Sequence, residues 1–166
     1  MFDALFIGRF QPLHNGHLHA LADIFSRETS VIIAVGSSDK SRSFENPLNF
    51  EERREMIFLA LIEMGIERDR YVVVAVPDIE DSSLWVSHVR NLVGDFKRIY
   101  TGSSIVKSLF EDAGMTVSPV SFLDGVTATI VRNAVLKGGD YASFVSPSVF
   151  GYLEKIDFVG KLQNIL

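Results

Sequence analysis

Residues Leu5 to Leu21 read LFIGRFQPLHNGHLHAL, and the fold is decided in this stretch. Three apolar residues run into Gly8, Arg9 and Phe10. Pro12 follows and bars a regular strand ladder beyond that point. His14 and His17 then bracket Asn15 and Gly16, and Leu18, Leu21, Ala22 and Phe25 recur at the spacing of one helix face. The chain has only 4 histidines, yet His14, His17 and His19 crowd into six positions. A strand, a glycine, a cation and a histidine pair at the mouth of a helix suit an anion. The free N–H groups of the first helical turn and the helix dipole favour negative charge there. Gly16 keeps the turn open, histidine donates to phosphoryl oxygens, and Arg9 adds a planar, permanently charged fork. His19 lies two residues past His17, roughly 200° around a helix, and so points elsewhere.

Outward from this stretch, strand-length apolar runs alternate with segments of helical period. Strands are expected at residues 3–8, 30–36, 70–76, 97–102 and 115–120, the last being MTVSPV. Asn49 and Glu52 stand three apart, a capping signal for a helix running to Met64. Helices are also expected at residues 17–28, at 82–93 with Trp85, Val89 and Leu92 in register, and at 104–114. Two more close the chain, one near Ala128 to Lys137 and one capped by Ser146 with Pro147 in its first turn. Such alternation implies an α/β fold: a doubly wound, Rossmann-like parallel sheet of about five strands, with helices on both faces and C-terminal helices. Ligands of such sheets bind beyond the carboxyl ends of the strands. Those ends here are Gly8-Arg9-Phe10, Gly36-Ser37-Ser38, Pro77-Asp78 and Thr101-Gly102-Ser103. No repeat or linker divides the 166 residues, so one domain is expected over 1–166.

Composition narrows the function classes. With 47% apolar and 22% charged residues the chain is globular, and no apolar run reaches the length of a membrane span. The N-terminal MFDALF lacks the basic region of a secretory signal, and the chain has no cysteine, so a cytoplasmic location is expected. A net charge of −5 argues against a general nucleic-acid binder. Any positive charge for phosphate must therefore be local. A cap or a zinc site would also account for clustered histidines. No cysteine or well-spaced carboxylate completes a zinc set, however, and no Gly-Lys-Ser/Thr marks a Walker loop.

GRFQPLHNGH, Gly8 to His17, contains the HxGH signature of the nucleotidylyltransferase superfamily, and its GRFQP resembles the archaeal-type nicotinamide-mononucleotide adenylyltransferases. SSDKSRSFENPLNFEERREMI, VPDIEDSSLWVSHV and IYTGSSIVKSLFEDAG follow in that family's order. TATIVR, Thr127 to Arg132, stands where its second phosphate motif, usually SGTxIR, is expected. The similarity runs to about Lys161.

The resemblance implies transfer of the adenylyl group of ATP to nicotinamide mononucleotide, giving NAD and pyrophosphate by direct displacement, with Mg²⁺ carried mainly by the ATP phosphates. It implies catalytic roles for Arg9, His14, His17 and Arg132. ATP would meet these together with Gly8, Phe10, Gly102, Ser103, Thr127 and Thr129. The nicotinamide nucleotide would meet Ser82, Trp85 and Arg42. It further implies small-molecule partners and a homo-oligomer, in close relatives often a hexamer. Several residues carry two readings. Trp85 also falls on an apolar stripe. Arg53 serves substrate or pairs with Glu45 or Glu52. Lys40 and Arg42 add charge or are solvated surface. Asp78 caps a helix or orients a ribose, and His88 packs or faces water. Departures from the family pattern are Thr127-Ala128 for Ser-Gly, Ile130 for an acid, Asn133 and Ala134 for arginines, and Ser82 for an asparagine. They leave open another phosphorylated acceptor, such as nicotinic acid mononucleotide or phosphopantetheine, and a nucleotide binder without turnover.

Overall fold

A computed structural model describes residues 1–166. Four parallel strands, β1 (Phe2–Gly8), β2 (Val31–Gly36), β3 (Tyr71–Val76) and β4 (Phe96–Thr101), form one sheet in the order β3-β2-β1-β4. Seven α-helices accompany it: α1 (Asn15–Arg27), α2 (Phe50–Glu63), α3 (Trp85–Val93), α4 (Ser104–Asp112), α5 (Ala128–Leu136), α6 (Pro147–Lys155) and α7 (Phe158–Ile165).

Side-chain alternation sorts each strand between two cores. In β1, Ala4 and Phe6 face one cluster while Leu5 and Ile7 face the other. Val31, Ile33 and Val35 of β2 divide from Ile32 and Ala34 in the same way. Both faces are covered, which is why β2 is apolar at every inner position. The first cluster takes in α1, α2, α5, α6 and α7 through residues such as Leu21, Ile57, Val131, Leu153 and Phe158. The second is closed by Val89 of α3 and Phe110 of α4. Each of these fully buried side chains contributes about 1.5–3 kcal/mol of apolar burial.

The doubly wound parallel sheet agrees with the sequence reading, with four corrections. The expected fifth strand shrinks to a single bridge between Ile99 and Val117, because Pro119 interrupts the donors needed for a longer ladder. Ala22 is exposed, and the buried face of α1 is instead Ala20, Leu21, Ile24 and Phe25. Leu92 is 43% exposed and does not join the α3 core stripe. The closing segment is three helices. Asp157, in the left-handed region at φ 53°, ends the α6 path and caps α7 by accepting a 3.1 Å bond from Gly160 N–H.

Candidate active site at the switch point

Strand order reverses at β1. The chain winds outward through β2 and β3, then returns to place β4 on the other side of β1. A crevice must open where β1 and β4 diverge beyond their carboxyl ends. A cleft of about 830 Å³ lies there, bordered by Gly8, Gly36, Asp78 and Gly102 at the four strand ends. Thr101 holds the seam: its hydroxyl donates to the Ile7 carbonyl at 3.2 Å and accepts from Ser103 N–H at 3.1 Å.

The two histidines sit at the head of α1 as a reciprocal cap. Gly16 N–H donates to His14 Nδ1 at 3.1 Å, and His14 N–H donates to His17 Nδ1 at 3.2 Å. Both Nδ1 atoms are acceptors, so each neutral ring carries its proton on Nε2. Protonating Nδ1 would break a backbone bond. Burial pushes the His14 pKa down to about 4. Burial, and then the neighbouring His14, hold that of His17 well below its ordinary value. The rings lie 3.8 Å apart, and His17 also packs 4.8 Å from Phe10. The site thus presents two neutral N–H donors held by the backbone. A Cβ on Gly16 would stand 2.8 Å from His14 Cε1, which is why glycine separates them.

Positive charge is local, as the net charge requires. Arg9, Arg53 and Arg132 gather around the cleft, and none of them forms a salt bridge. Arg9 is exposed at the cleft wall. Arg132 is 3% exposed: Nη1 donates to Gln11 O at 2.7 Å, Nη2 to Thr129 Oγ1 at 3.2 Å, and Nε has no partner. Burial, then the charge of Arg9, lowers the Arg132 pKa. Thr127 caps α5, its hydroxyl accepting from Ile130 N–H at 3.2 Å. The head of a second helix therefore faces the same cleft, and Thr127, Ala128 and Thr129 line it.

Gly8, Phe10, Ser103 and Trp85 line the cleft too, with Trp85 half-buried and edge-on to Phe110 at 5.8 Å. Trp85 packs one edge on the core while its side chain borders the cleft. Ser82 and Arg42 do not line it. Ser82 opens an exposed 3₁₀ turn, and Arg42 lies in an exposed loop at φ 59°. Lys40 pairs with Asp39 at 3.1 Å. Arg53 pairs with neither Glu45 nor Glu52 and instead binds backbone carbonyls. Asp78 caps no helix, since Asp81 fills that place; Asp78 accepts from the Ser37 hydroxyl at 3.0 Å on the cleft rim. His88 is packed, its Nε2 lying 3.0 Å from Pro77 O. His19 turns away to Ser121, Nε2 to Oγ 2.9 Å.

Sequence reasoning missed two features. Gln11 is buried, and its amide pairs with both backbone groups of Leu48, Nε2 to O at 2.8 Å and N to Oε1 at 3.0 Å. Phe122 and Leu123 form an apolar wall beside Gly102, where a Cβ would meet the Phe122 ring at 2.9 Å. An apolar pair just ahead of Asp124-Gly125, between the strand expected at 115–120 and the helix expected near Ala128, was the available signal.

Residues 5–134, which supply the entire cleft lining, match the cytidylyltransferase-like family. The chain belongs to the cytidylyltransferase-like family. It is 38% identical to the nicotinamide-nucleotide adenylyltransferase of Pyrococcus horikoshii over 99% of this chain and 89% of that protein. Identity to the Picrophilus torridus protein of the same name is 36%, over 98% of this chain and 96% of that one. Among solved structures it resembles a bifunctional NMN adenylyltransferase/ADP ribose pyrophosphatase of Francisella tularensis, complexed with AMP and a manganese ion. The TM-score is 0.81 and the identity 26%, covering 99% of this chain and 52% of that one. The cytidylyltransferase-like chain thus spans about half the length of the bifunctional protein.

Proposed function

We propose that this protein transfers the adenylyl group of ATP to nicotinamide mononucleotide, releasing NAD and pyrophosphate. The observation that carries the reading is the pair of Nε2-protonated histidines beside arginines that have no carboxylate partner, all at the sheet's switch point. A 5′-phosphate oxygen of the acceptor attacks the α-phosphorus of ATP. The new P–O bond forms as the bond to the bridging oxygen breaks, and pyrophosphate departs with the electron pair. No proton must move at the attacking oxygen, so neutral histidines suffice as donors. Catalysis is positioning and charge stabilisation. His14 and His17 supply Nε2–H donors, and Arg9 supplies charge near the reacting phosphoryl. Thr127, Thr129, Arg132 and the head of α5 hold the β- and γ-phosphates. Gly8, Phe10, Gly102 and Ser103 border the adenosine, and Trp85 offers the aromatic wall for the cationic nicotinamide ring.

Asp78 and Asp124 are the carboxylates of the cleft lining, and no three His, Asp or Glu side chains gather into a cage. That donor set fits Mg²⁺ arriving on the triphosphate, with phosphate oxygens and water as its ligands. Such an ion would offset charge on the triphosphate, which the chain's own groups orient. The chain acts as a single domain on small molecules in the cytoplasm, and a homo-oligomer is the expected assembly. No helix is long and apolar enough to cross a membrane.

The test is NAD formation and pyrophosphate release from ATP, Mg²⁺ and nicotinamide mononucleotide, with nicotinic acid mononucleotide and phosphopantetheine as competing acceptors. Pyrophosphate from another acceptor alone overturns the substrate. Silence with all three, from protein that binds ATP, overturns the reaction.

A further inference from the structure

The floor of the cleft rests on a cation that never reaches it. Arg53 is fully buried within α2, at 0% exposure. Instead of a carboxylate it has four carbonyls. Nε donates to Asn49 O at 3.2 Å, Nη1 to Arg9 O at 3.1 Å and to Gly36 O at 2.8 Å, and Nη2 to Ser37 O at 3.0 Å. One guanidinium therefore ties the residue after β1, the last residue of β2 and the residue after it to the cap of α2. These are the strand ends that meet the ligand. Phe10 and Ser37, adjoining the bound carbonyls, both have positive φ, 54° and 46°. Non-glycine residues hold that backbone only when surrounding structure imposes it.

Two buried arginines share this task around one short segment. Arg53 holds the carbonyl of Arg9, and Arg132 holds that of Gln11, with Phe10 and its positive φ between them. Ser37 is clasped likewise: Arg53 takes its carbonyl, and Asp78 takes its hydroxyl at 3.0 Å. A lysine has one compact ammonium and cannot span four carbonyls in a plane.

We infer that Arg53 is a positioning residue for the adenylyl transfer, acting through the Arg9 backbone and the Ser37–Asp78 rim without touching substrate. The inference rests on the proposed reaction, and the experiment separates the two. Burial lowers the Arg53 pKa to about 10, so the group stays charged at neutral pH and adds its field beneath the phosphates.

The experiment compares wild-type protein with Arg53→Met and Arg53→Lys, measuring kcat per folded molecule well below each melting transition. ATP affinity is read by calorimetry without acceptor. Arg53→Met removes the cation; Arg53→Lys keeps charge and part of the contacts, so the test stands if the first variant fails to fold. In folded Arg53→Lys, kcat falls 10- to 100-fold and ATP affinity 3- to 10-fold. In the Arg9→Ala background the same substitution costs at least fivefold less, because the guanidinium that the held Arg9 backbone aims is already gone. A kcat within twofold of wild type, with only a lower melting temperature, overturns the inference and leaves Arg53 a purely structural residue. Full additivity with Arg9→Ala overturns it as well. If wild-type protein binds ATP but turns over no acceptor, the reaction fails instead, and Arg53 is judged on affinity alone: unchanged ATP binding in Arg53→Lys overturns its role.

Discussion

The backbone N–H of His14 donates to Nδ1 of His17 at 3.2 Å, while the two rings lie 3.8 Å apart. Each ring is thereby a cap on its inner nitrogen and a donor on its outer one. Fold and chemistry use opposite edges of the same imidazoles.

Removing His17 separates those uses. His17→Ala loses one cap interaction, about 1 kcal/mol, and one donor to the transferring phosphoryl. Turnover should fall by roughly 10² or more. Steady-state kinetics beside a urea titration reads both. Wild-type kcat in the variant would show that His17 caps and does nothing else.

Acid should act on His14 through the fold. Its folded pKa of about 4 lies below the unfolded value of 6.5, so the unfolded chain binds the proton more tightly. The stability tied to the neutral ring is complete above pH 6.5 and drains away as pH falls from 6.5 toward 4, by on the order of 3 kcal/mol. His14→Asn keeps a capping side chain and removes the titration. The urea midpoint gap between wild type and this variant should narrow across that window; a gap independent of pH contradicts the buried neutral ring.

Trp85 should divide the two substrates. Trp85→Ala is expected to raise KM for nicotinamide mononucleotide about tenfold, in line with an aromatic face on a cation, and to leave KM for ATP within twofold. Trp85→Phe keeps an aromatic ring toward Phe110 and should recover most of the loss. A KM change for ATP of equal size would assign the ring to the wrong nucleotide.

Chelation gives a fourth test. EDTA should stop turnover, and added Mg²⁺ or Mn²⁺ should restore it. The melting temperature of nucleotide-free protein should not move, because no cage of carboxylates and histidines holds an ion in the fold. A drop of several degrees would reveal a structural metal.

Strands β1 to β3 were readable as short, largely apolar runs ended by glycine or proline, β4 by its Ile99-Tyr100-Thr101 run into Gly102 despite Lys97 and Arg98, and Asn49 and Ser146 announced their helices by capping chemistry. The histidine pair was readable from its place at the mouth of a helix, and Thr127 only through the resemblance of TATIVR to a family motif. Arg53 was not. Its partners are carbonyls up to 44 positions away, and carbonyls leave no mark in a sequence. Gln11 and Phe122 were hidden likewise, since each takes its meaning from a distant segment, Leu48 for one and Gly102 for the other. The α6–α7 break depended on the unusual backbone of one aspartate.

The bond from Arg132 to the Gln11 carbonyl joins residues 121 positions apart, and it closes the second side of the cleft. On the ribosome, at 5–20 residues per second, roughly 6 to 24 s separate the making of its two ends. The growing chain carries its histidine pair, Arg9 and Gln11 throughout that interval without α5. Until α5 is made the cleft lacks Thr127, Thr129 and Arg132, and the core under the histidine pair lacks Val131, Leu153 and Phe158, so the complete site arrives only when the last quarter of the polypeptide docks.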